Sequence, residues 1–333
     1  MHKRSIITGC GSFLPENIVT NSDLAKLVNT TDEWITARTG ISQRHIAVEG
    51  QNTSDLAFEA AKKALSSAGI KPSQVDTIIL ATTTPDRTFP ATATKVQAML
   101  GMTSGAAFDV QAVCSGFIYG LSIGDNFIKA GQSETVLVIG AETFSRIIDW
   151  KDRGTCVLFG DGAGSVVLQS SKIKKPNPEK NNKNNNFTRG IISTHIFSDG
   201  STNELLYVDG GPSSTKTVGH VKMLGKEVFK HAVKNLSSVV YEALRVNNLK
   251  TEDLNWLVPH QANKRILDST AKKLGISEKK VIVTVDKHAN TSAASIPLAL
   301  DEGLKDGRIK QGDLILLEAM GGGLTWGAAL IRW

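Results

Sequence analysis

The chain has 333 residues, of which 41% are hydrophobic and 21% charged, and is long enough to form two domains or one large duplicated unit with a buried core. The composition argues against a membrane-spanning helix, which requires roughly 18–20 consecutive apolar residues, and we find no secretory signal at the N-terminus. The net charge of +6 comes mostly from segment 172–189, which holds six Lys or Arg residues and one acidic residue, and no nucleic-acid-binding motif accompanies it.

Helices and strands alternate along the first half of the chain. Apolar side chains at helical spacing predict a helix from about residue 54 that stops at Gly69. The sequence then predicts, in order, a strand at 76–82, a helix at 92–100, a strand at 106–110, a helix from Cys114 to Ala130 and a strand at 135–140. The glycine-rich segment 160–164 precedes a strand at 165–169. It lacks the spacing of a dinucleotide fingerprint, so we interpret it as close backbone packing.

The second half repeats this order of elements with little sequence identity. The predicted elements are a helix at 221–247, a strand at 255–259, a helix at 262–275, a strand at 281–285, a helix at 292–305 and strands at 313–319 and 328–332. Such alternation predicts an α/β fold with one mainly parallel sheet in each half. We therefore expect an N-terminal half at 1–171, an Asn/Lys-rich loop at 172–189 and a C-terminal half at 190–333.

Three polar residues follow predicted strands, which is where α/β folds gather reactive groups. Cys114 begins a helix, and the helix dipole at that position lowers the pKa of a thiol. A lone cysteine is also typical of a packed core. His260 follows the strand at 255–259, and Asn290 lies where we expect the counterpart of Cys114. Structural roles remain open for both, but the three side chains together suit nucleophilic acyl transfer.

Two further features bear on chemistry and location. Gly321–Gly323 follow a hydrophobic strand, so they form either a simple turn or a backbone that approaches a ligand closely, as in an oxyanion hole. The three cysteines, Cys10, Cys114 and Cys156, show no metal-binding or redox spacing and are typical of a reduced cytoplasmic protein.

Several segments together resemble the β-ketoacyl-acyl carrier protein synthase III family of the thiolase superfamily. They are GCGSFLPENIVTN, TDEWITARTGI, VCSGF, DRGTCVLFGDGAG, PHQAN, HANTSAAS and GGGLTWGAAL, and they run nearly end to end in the family's order. The resemblance implies a five-layered αβαβα thiolase-like fold, a cytoplasmic homodimer and no cofactor beyond the thioester substrates. Only the Asn/Lys-rich segment looks like an addition.

The resemblance also implies a reaction. Cys114 matches the acyl-accepting nucleophile, His260 and Asn290 match the other two catalytic residues, and the backbone N–H groups of Cys114 and Gly322 match the oxyanion hole. A short acyl-CoA, such as acetyl-CoA, would acylate the cysteine. Malonyl-acyl carrier protein would then lose CO₂ and attack the acyl group, which gives 3-oxoacyl-acyl carrier protein and initiates type II fatty acid biosynthesis.

Binding residues are implied by the same matching. For CoA they are Thr30, Trp34, Arg38, Arg153, Gly225, Ala262 and Asn263, of which Trp34 and Arg153 resemble the pair that sandwiches the adenine. For the acyl pocket they are Met320 and Phe89, the latter contributed by a partner subunit. For docking of the acidic carrier protein they are Lys230, Lys264, Arg265, Lys272 and Lys273, although such a charge run is usually a solvated face. Lys226 stands where the family often has asparagine, and Met320 where it often has phenylalanine, so the pantetheine contact and the primer length stay open.

Four alternatives were weighed. A biosynthetic thiolase needs a second catalytic cysteine in the C-terminal half, where none occurs, and a chain-elongating synthase is expected to have histidine at position 290. A plant-type polyketide synthase has Gly-Phe-Gly-Pro-Gly where this chain has GGGLTWG. A homologue that only binds CoA or carrier protein is disfavoured by the intact Cys, His and Asn.

Overall fold

The computed structural model describes residues 2–173 and 189–333, so residues 174–188 of the expected Asn/Lys-rich loop lie outside the described part of the chain. The strands are β1 (His2–Phe13), β2 (Ile18–Thr20), β3 (Gln43–His45), β4 (Thr77–Ala81), β5 (Ala106–Val110), β6 (Thr135–Glu142), β7 (Gly162–Ile173), β8 (Gly190–Ser198), β9 (Leu206–Val208), β10 (Val221–Met223), β11 (Trp256–Pro259), β12 (Leu314–Gly321) and β13 (Thr325–Arg332).

The helices are α1 (Asn21–Leu24), α2 (Asp32–Thr39), α3 (Thr53–Ala68), α4 (Thr92–Met99), α5 (Gly116–Ala130), α6 (Arg153–Cys156), α7 (Gly225–Val246), α8 (Lys264–Leu274), α9 (Val285–His288) and α10 (Ser295–Lys305). Within residues 2–173 and 189–333, none of these helices combines the length and the hydropathy needed to cross a bilayer.

Two main sheets organise the molecule. The first has five strands in the order β1-β7-β6-β4-β5, in which β6, β4 and β5 are parallel while β7 pairs antiparallel with both β1 and β6. The second has four strands in the order β11-β12-β13-β8, with β11 and β12 parallel and the others antiparallel. Each sheet is therefore mixed: two of the four strand pairs are parallel in the first sheet and one of the three in the second, whereas the alternation of helices and strands predicted mainly parallel sheets.

The helices form three layers around these sheets. Helices α5 and α10 lie between the two sheets, where Phe117 and Ile118 of α5 join Ile296 of α10 and inward-facing strand residues in one core. Helices α3 and α4 cover the outer face of the first sheet, and α7 and α8 cover the outer face of the second. This arrangement is the expected five-layered αβαβα fold.

Most predicted elements are present, but the strand predicted at 281–285 is wrong. Val281 makes one isolated parallel bridge to Leu257, and helix α9 begins at Val285. The sequence analysis also missed β1 and β8. In β1 the glycines interrupt the apolar pattern that would have indicated a strand. A Cβ on Gly9 would lie only 2.3 Å from the carbonyl oxygen of Ala64 in α3. The glycine is thus required for close packing of this strand against a helix.

The glycine-rich segment 160–164 packs as the sequence suggested. A Cβ on Gly164 in β7 would lie 2.6 Å from Cβ of Pro297 in α10, so the strand and the central helix touch through backbone. This contact fixes α10 against the first sheet and thereby joins the two halves of the molecule.

A short motif repeats at the start of both central helices. A 3₁₀ turn precedes each helix, Val113–Ser115 before α5 and Ser292–Ala294 before α10. Its first residue has a positive φ in both cases, 48° at Val113 and 49° at Ser292. The counterpart of Cys114 is therefore Ala293. The expected equivalence of Cys114 and Asn290 is wrong by three residues, because helical periodicity alone could not locate the turn.

Candidate active site

Cys114, His260 and Asn290 line one cavity of about 490 Å³. The cysteine comes from the turn before α5, the histidine follows β11, and the asparagine lies between α9 and the turn before α10. All three side chains are buried, with exposures of 3%, 4% and 6%. The three residues that the sequence singled out come from two halves of the chain, and the fold brings them together in one cavity.

The thiol of Cys114 is protonated at rest. Its pKa is raised to about 12, chiefly by burial; a side-chain hydrogen bond with Ser292 lowers it and the charge of Glu142 raises it. The position of Cys114 at the start of a helix predicted a lowered pKa. That expectation is wrong in direction, because removal of the thiolate from water outweighs the helix dipole here.

His260 is neutral and is oriented by two hydrogen bonds. Its Nδ1 lies 2.6 Å from Oγ of Ser295, and its backbone N–H donates to the carbonyl oxygen of Glu318 at 2.7 Å. Burial lowers the pKa of the imidazole to about 3. Because the Ser295 oxygen also accepts from the N–H of Gln261 at 3.3 Å, the serine proton is free to bond to Nδ1. The ring then carries its own proton on Nε2, from which it can donate.

Asn290 is held by both backbone and side chain. Its N–H donates to the carbonyl oxygen of Leu158, and its carbonyl oxygen accepts from Gly160. Its Oδ1 accepts from the N–H of Ser292 at 2.9 Å, so the amide caps the turn before α10. This is the structural role that was left open for Asn290. The same bond assigns the oxygen to the backbone side and leaves the NH₂ group for donation to the cavity.

The glycine-rich turn after β12 lies directly against the cysteine. A Cβ on Gly321 would be 2.6 Å from the backbone nitrogen of Cys114, and one on Gly322 would be 2.6 Å from the carbonyl oxygen of Leu206. Any side chain at these positions would push the turn away from the nucleophile. The geometry supports a close approach of the turn's backbone to Cys114. The role of the Gly322 N–H as an oxyanion-hole donor stays a prediction.

The indole of Trp34 lies between two guanidinium groups at the cavity entrance. The Cζ atoms of Arg38 and Arg153 are 4.6 and 4.7 Å from the ring centroid, and Arg153 also donates to the carbonyl oxygen of Asn29 at 2.8 Å. Arg153 and Trp34 therefore stack on each other directly. A purine between them, as the family resemblance implies, requires Arg153 to move away from the ring.

The other predicted binding residues divide into two groups. Those that line the cavity are Arg38, Gly225, Lys226, Lys230, Ala262, Asn263, Arg265 and Met320. Those that lie outside its lining are Thr30, Phe89, Arg153, Lys264, Lys272 and Lys273. Phe89 is 82% exposed, so any contribution to an acyl pocket would have to be made to another subunit.

Several residues of the site were missed in the sequence analysis. Ser292 and Ser295 lie beside Asn290 and His260, and Glu142 lies next to Ser292. The serines stand two and five positions after Asn290, but nothing in that spacing indicates their partners. Apolar cavity walls formed by Leu206, Met223 and Phe229 were also not predicted.

Comparison with known proteins places this chain in a family. The family model described as 3-oxoacyl-[acyl-carrier-protein] synthase III matches residues 108–200, and its C-terminal model matches residues 244–333. The chain is 63% identical over all 333 residues to β-ketoacyl-[acyl-carrier-protein] synthase III of Rhodospirillum centenum, with both proteins fully covered. It is 65% identical to the protein of that name from Paramagnetospirillum magneticum, over 99% of each chain. The crystal structure of 3-oxoacyl-[acyl-carrier-protein] synthase III from Aquifex aeolicus superposes with a TM-score of 0.91 at 49% identity, covering 99% of this chain and 100% of the other.

Proposed function

The chain belongs to the 3-oxoacyl-acyl carrier protein synthase III family, and we propose that it condenses a short acyl-CoA with malonyl-acyl carrier protein through an acyl group held on Cys114. It is an acyltransferase of fatty acid biosynthesis. The observation that carries the residue assignment is the shared cavity, which holds a buried thiol, a neutral imidazole and an oriented amide. No one of these groups alone would define the reaction.

In the first half-reaction the sulfur of Cys114 attacks the carbonyl carbon of the acyl-CoA. The oxygen of that carbonyl gains negative charge, and backbone N–H groups of Cys114 and Gly322 stabilise it. Collapse of the tetrahedral intermediate breaks the bond to the CoA sulfur and leaves a thioester on the enzyme. The cavity beside the thiol, with Met320 in its wall, gives the acyl chain room.

In the second half-reaction malonyl-acyl carrier protein loses its carboxylate as CO₂. The electron pair passes to the thioester carbonyl oxygen, where Nε2–H of His260 and the NH₂ group of Asn290 donate hydrogen bonds to the enolate. Because the imidazole is neutral, it donates without giving up its proton. The enolate carbon then attacks the acyl-cysteine, and the Cys114 sulfur departs as the new carbon–carbon bond forms.

Incubation with radiolabelled acetyl-CoA tests the nucleophile. We expect one labelled acetyl group per chain, attached at Cys114, and no label on the C114S variant. Labelling that persists in C114S would show that another residue carries the acyl group. A panel of acetyl, branched and longer acyl-CoAs in a coupled condensation assay would then define the primer, which we expect Met320 to influence.

We further propose that the enzyme acts as a cytoplasmic homodimer. Phe89 is exposed, and β5 forms the edge of the five-stranded sheet, so both are accessible to a second copy. The free thiols of Cys10, Cys114 and Cys156 are compatible with a reducing compartment. Loss of acylation of longer primers in F89A, with acetyl transfer retained, would support a Phe89 contribution to the pocket of the partner.

A further inference from the structure

A buried polar chain leads away from the nucleophile and lies outside the lining of the cavity. The hydroxyl of Ser292 donates to Oε1 of Glu142 at 3.1 Å, and both residues are fully buried at 0% exposure. Glu142 ends β6 and also accepts hydrogen bonds from the hydroxyls of Thr82 and Thr84 and from the N–H and hydroxyl of Thr83. These donors hold the carboxylate in place and favour its ionised form.

Ser292 connects that carboxylate with the catalytic residues. Its side chain lies within reach of the Cys114 thiol, whose pKa it lowers, and its backbone N–H holds Oδ1 of Asn290. Its φ of 49° places a non-glycine residue in the left-handed region, in the turn that starts the central helix α10. Such strain persists only where the surrounding structure enforces it, and it concentrates at functional sites. The strained turn therefore directs one serine toward three functional groups.

The mechanism above needs such a group, since the thiol must lose its proton to attack. The pKa of Cys114 is about 12, so the thiolate is scarce at neutral pH. His260 lines the same cavity but is a poor proton acceptor, because burial lowers its pKa to about 3. Burial instead raises the pKa of Glu142 above the ordinary value of a glutamate, which makes its carboxylate a stronger base.

We propose that Glu142, acting through the hydroxyl of Ser292, accepts the proton of Cys114 during acylation and returns it when the cysteine is released. The inference rests on the proposed acyl-cysteine. In the first step the S–H proton passes to the Ser292 oxygen as the serine proton passes to Glu142. The sulfur forms its bond to the acyl carbon, CoA departs as a thiolate, and that thiolate takes a proton from solvent.

The second step runs the relay in reverse. Carbon–carbon bond formation expels the Cys114 sulfur as a thiolate, which takes the serine proton while Glu142 reprotonates the serine. The enzyme returns to a thiol and a carboxylate, so that one proton is stored on the protein for the lifetime of the acyl group. Over the whole cycle one solvent proton is consumed, by CoA. His260 and Asn290 remain available for the enolate oxygen throughout.

Two readouts on two variants test the relay. The variants are E142Q, which keeps the shape of the side chain but not its basicity, and S292A, which removes only the hydroxyl and keeps the N–H to Asn290. S122A is the matched control, since Ser122 is a buried serine on α5 whose hydroxyl bonds to Thr194 instead. We measure single-turnover acetylation of Cys114 and, separately, the pH dependence of its alkylation by iodoacetamide.

We expect acetylation at neutral pH to fall by on the order of 100-fold in both variants, as loss of a general base does, and not in S122A. The alkylation midpoint should move in opposite directions. It should fall in E142Q, which loses a negative charge near the sulfur, and rise in S292A, which loses a hydrogen bond to the thiolate. The opposite shifts would show that both groups act on the thiol, whereas slower acetylation in E142Q despite its lower midpoint is expected only if Glu142 accepts the proton.

Wild-type acetylation rates in E142Q and S292A would overturn the relay, as would an alkylation midpoint that moves the same way in both. If E142Q does not fold, as judged by thermal unfolding, the acetylation rate and the midpoint of S292A decide alone. Failure of the wild-type enzyme to form acetyl-Cys114 would instead overturn the proposed function, and the iodoacetamide titration would still report whether Ser292 and Glu142 act on the thiol.

Discussion

Nδ1 of His260 lies 2.6 Å from Oγ of Ser295, and this contact ties the imidazole to the first residue of the central helix α10. The same serine oxygen accepts from the N–H of Gln261, which leaves its own proton available for the ring. When the hydroxyl donates to Nδ1, it stabilises the tautomer whose Nε2–H is available for donation, although Ser295 lies outside the lining of the cavity.

Removing the Ser295 hydroxyl should impair the step that uses Nε2–H. In S295A we expect decarboxylation of the malonyl thioester to slow by about 10-fold, the effect of roughly one hydrogen bond, while acetylation of Cys114 changes little. Single-turnover assays of the two half-reactions measure this. The control is S237A, which removes a buried hydroxyl that bonds within α7. Equal slowing of both half-reactions in S295A would contradict the assignment.

Replacing Arg153 should weaken the binding of CoA esters specifically. Its guanidinium stacks on the ring of Trp34 and can stack in the same way on an adenine ring. A contact of this kind contributes about 0.5–2 kcal/mol of interaction free energy. In R153A we expect KM to rise for acetyl-CoA and to stay unchanged for acetyl-pantetheine, which lacks the adenine. K62A is the control, because Lys62 makes a similar contact with Phe58 elsewhere. An equal rise for both substrates would place the effect of Arg153 away from the nucleotide.

The sequence predicted the layers of the fold better than its details. Helices α3, α5, α7 and α8 were found because their apolar residues recur at helical spacing. Strand β1 was missed because its glycines serve packing against α3. The segment at 281–285 is rich in β-branched residues but makes only one bridge at Val281, because tertiary context overrides strand propensity there.

The same division holds for the site. Cys114, His260 and Asn290 were predicted from their places after strands and from the resemblance to a family. Ser292 and Glu142 were not, because they stand 150 residues apart and meet only when the two halves pack. The pKa of Cys114 was mispredicted for the same reason: the helix start is visible in the sequence, whereas burial depends on the whole fold.

Reversing the charge of Lys272 and Lys273 should weaken carrier-protein docking alone. Both are exposed in the last turn of α8 and lie outside the cavity, so they cannot alter the site directly. In K272E/K273E we expect KM for malonyl-acyl carrier protein to rise severalfold, more so at low salt, while KM for acetyl-CoA is unchanged. K279E, an exposed lysine beyond α8, is the control. An unchanged KM for the carrier protein would rule out this face.

Glu318 should make the enzyme less stable as pH rises. Both of its carboxyl oxygens are buried without a hydrogen-bond partner in the described part of the chain, and burial raises its pKa to about 8. Between the unfolded value near 4.5 and about 8, the folded state holds a proton that the unfolded state has lost. The contribution to stability is therefore fully present below about pH 4.5 and is lost as the pH rises through about 8, by at most about 1.4 kcal/mol per pH unit.

The neutral variant E318Q removes this linkage. We expect its free energy of unfolding in urea, relative to wild type, to increase steadily from pH 5 to pH 8 and then to level off. The control is E242Q, because a hydrogen bond from Arg245 holds the pKa of Glu242 below its ordinary value. The contribution of this carboxylate to stability therefore changes only below about pH 4.5. The relative stability of E242Q should thus be constant over the range tested. A constant difference between E318Q and wild type across the same range would mean that Glu318 is ionised in the folded enzyme.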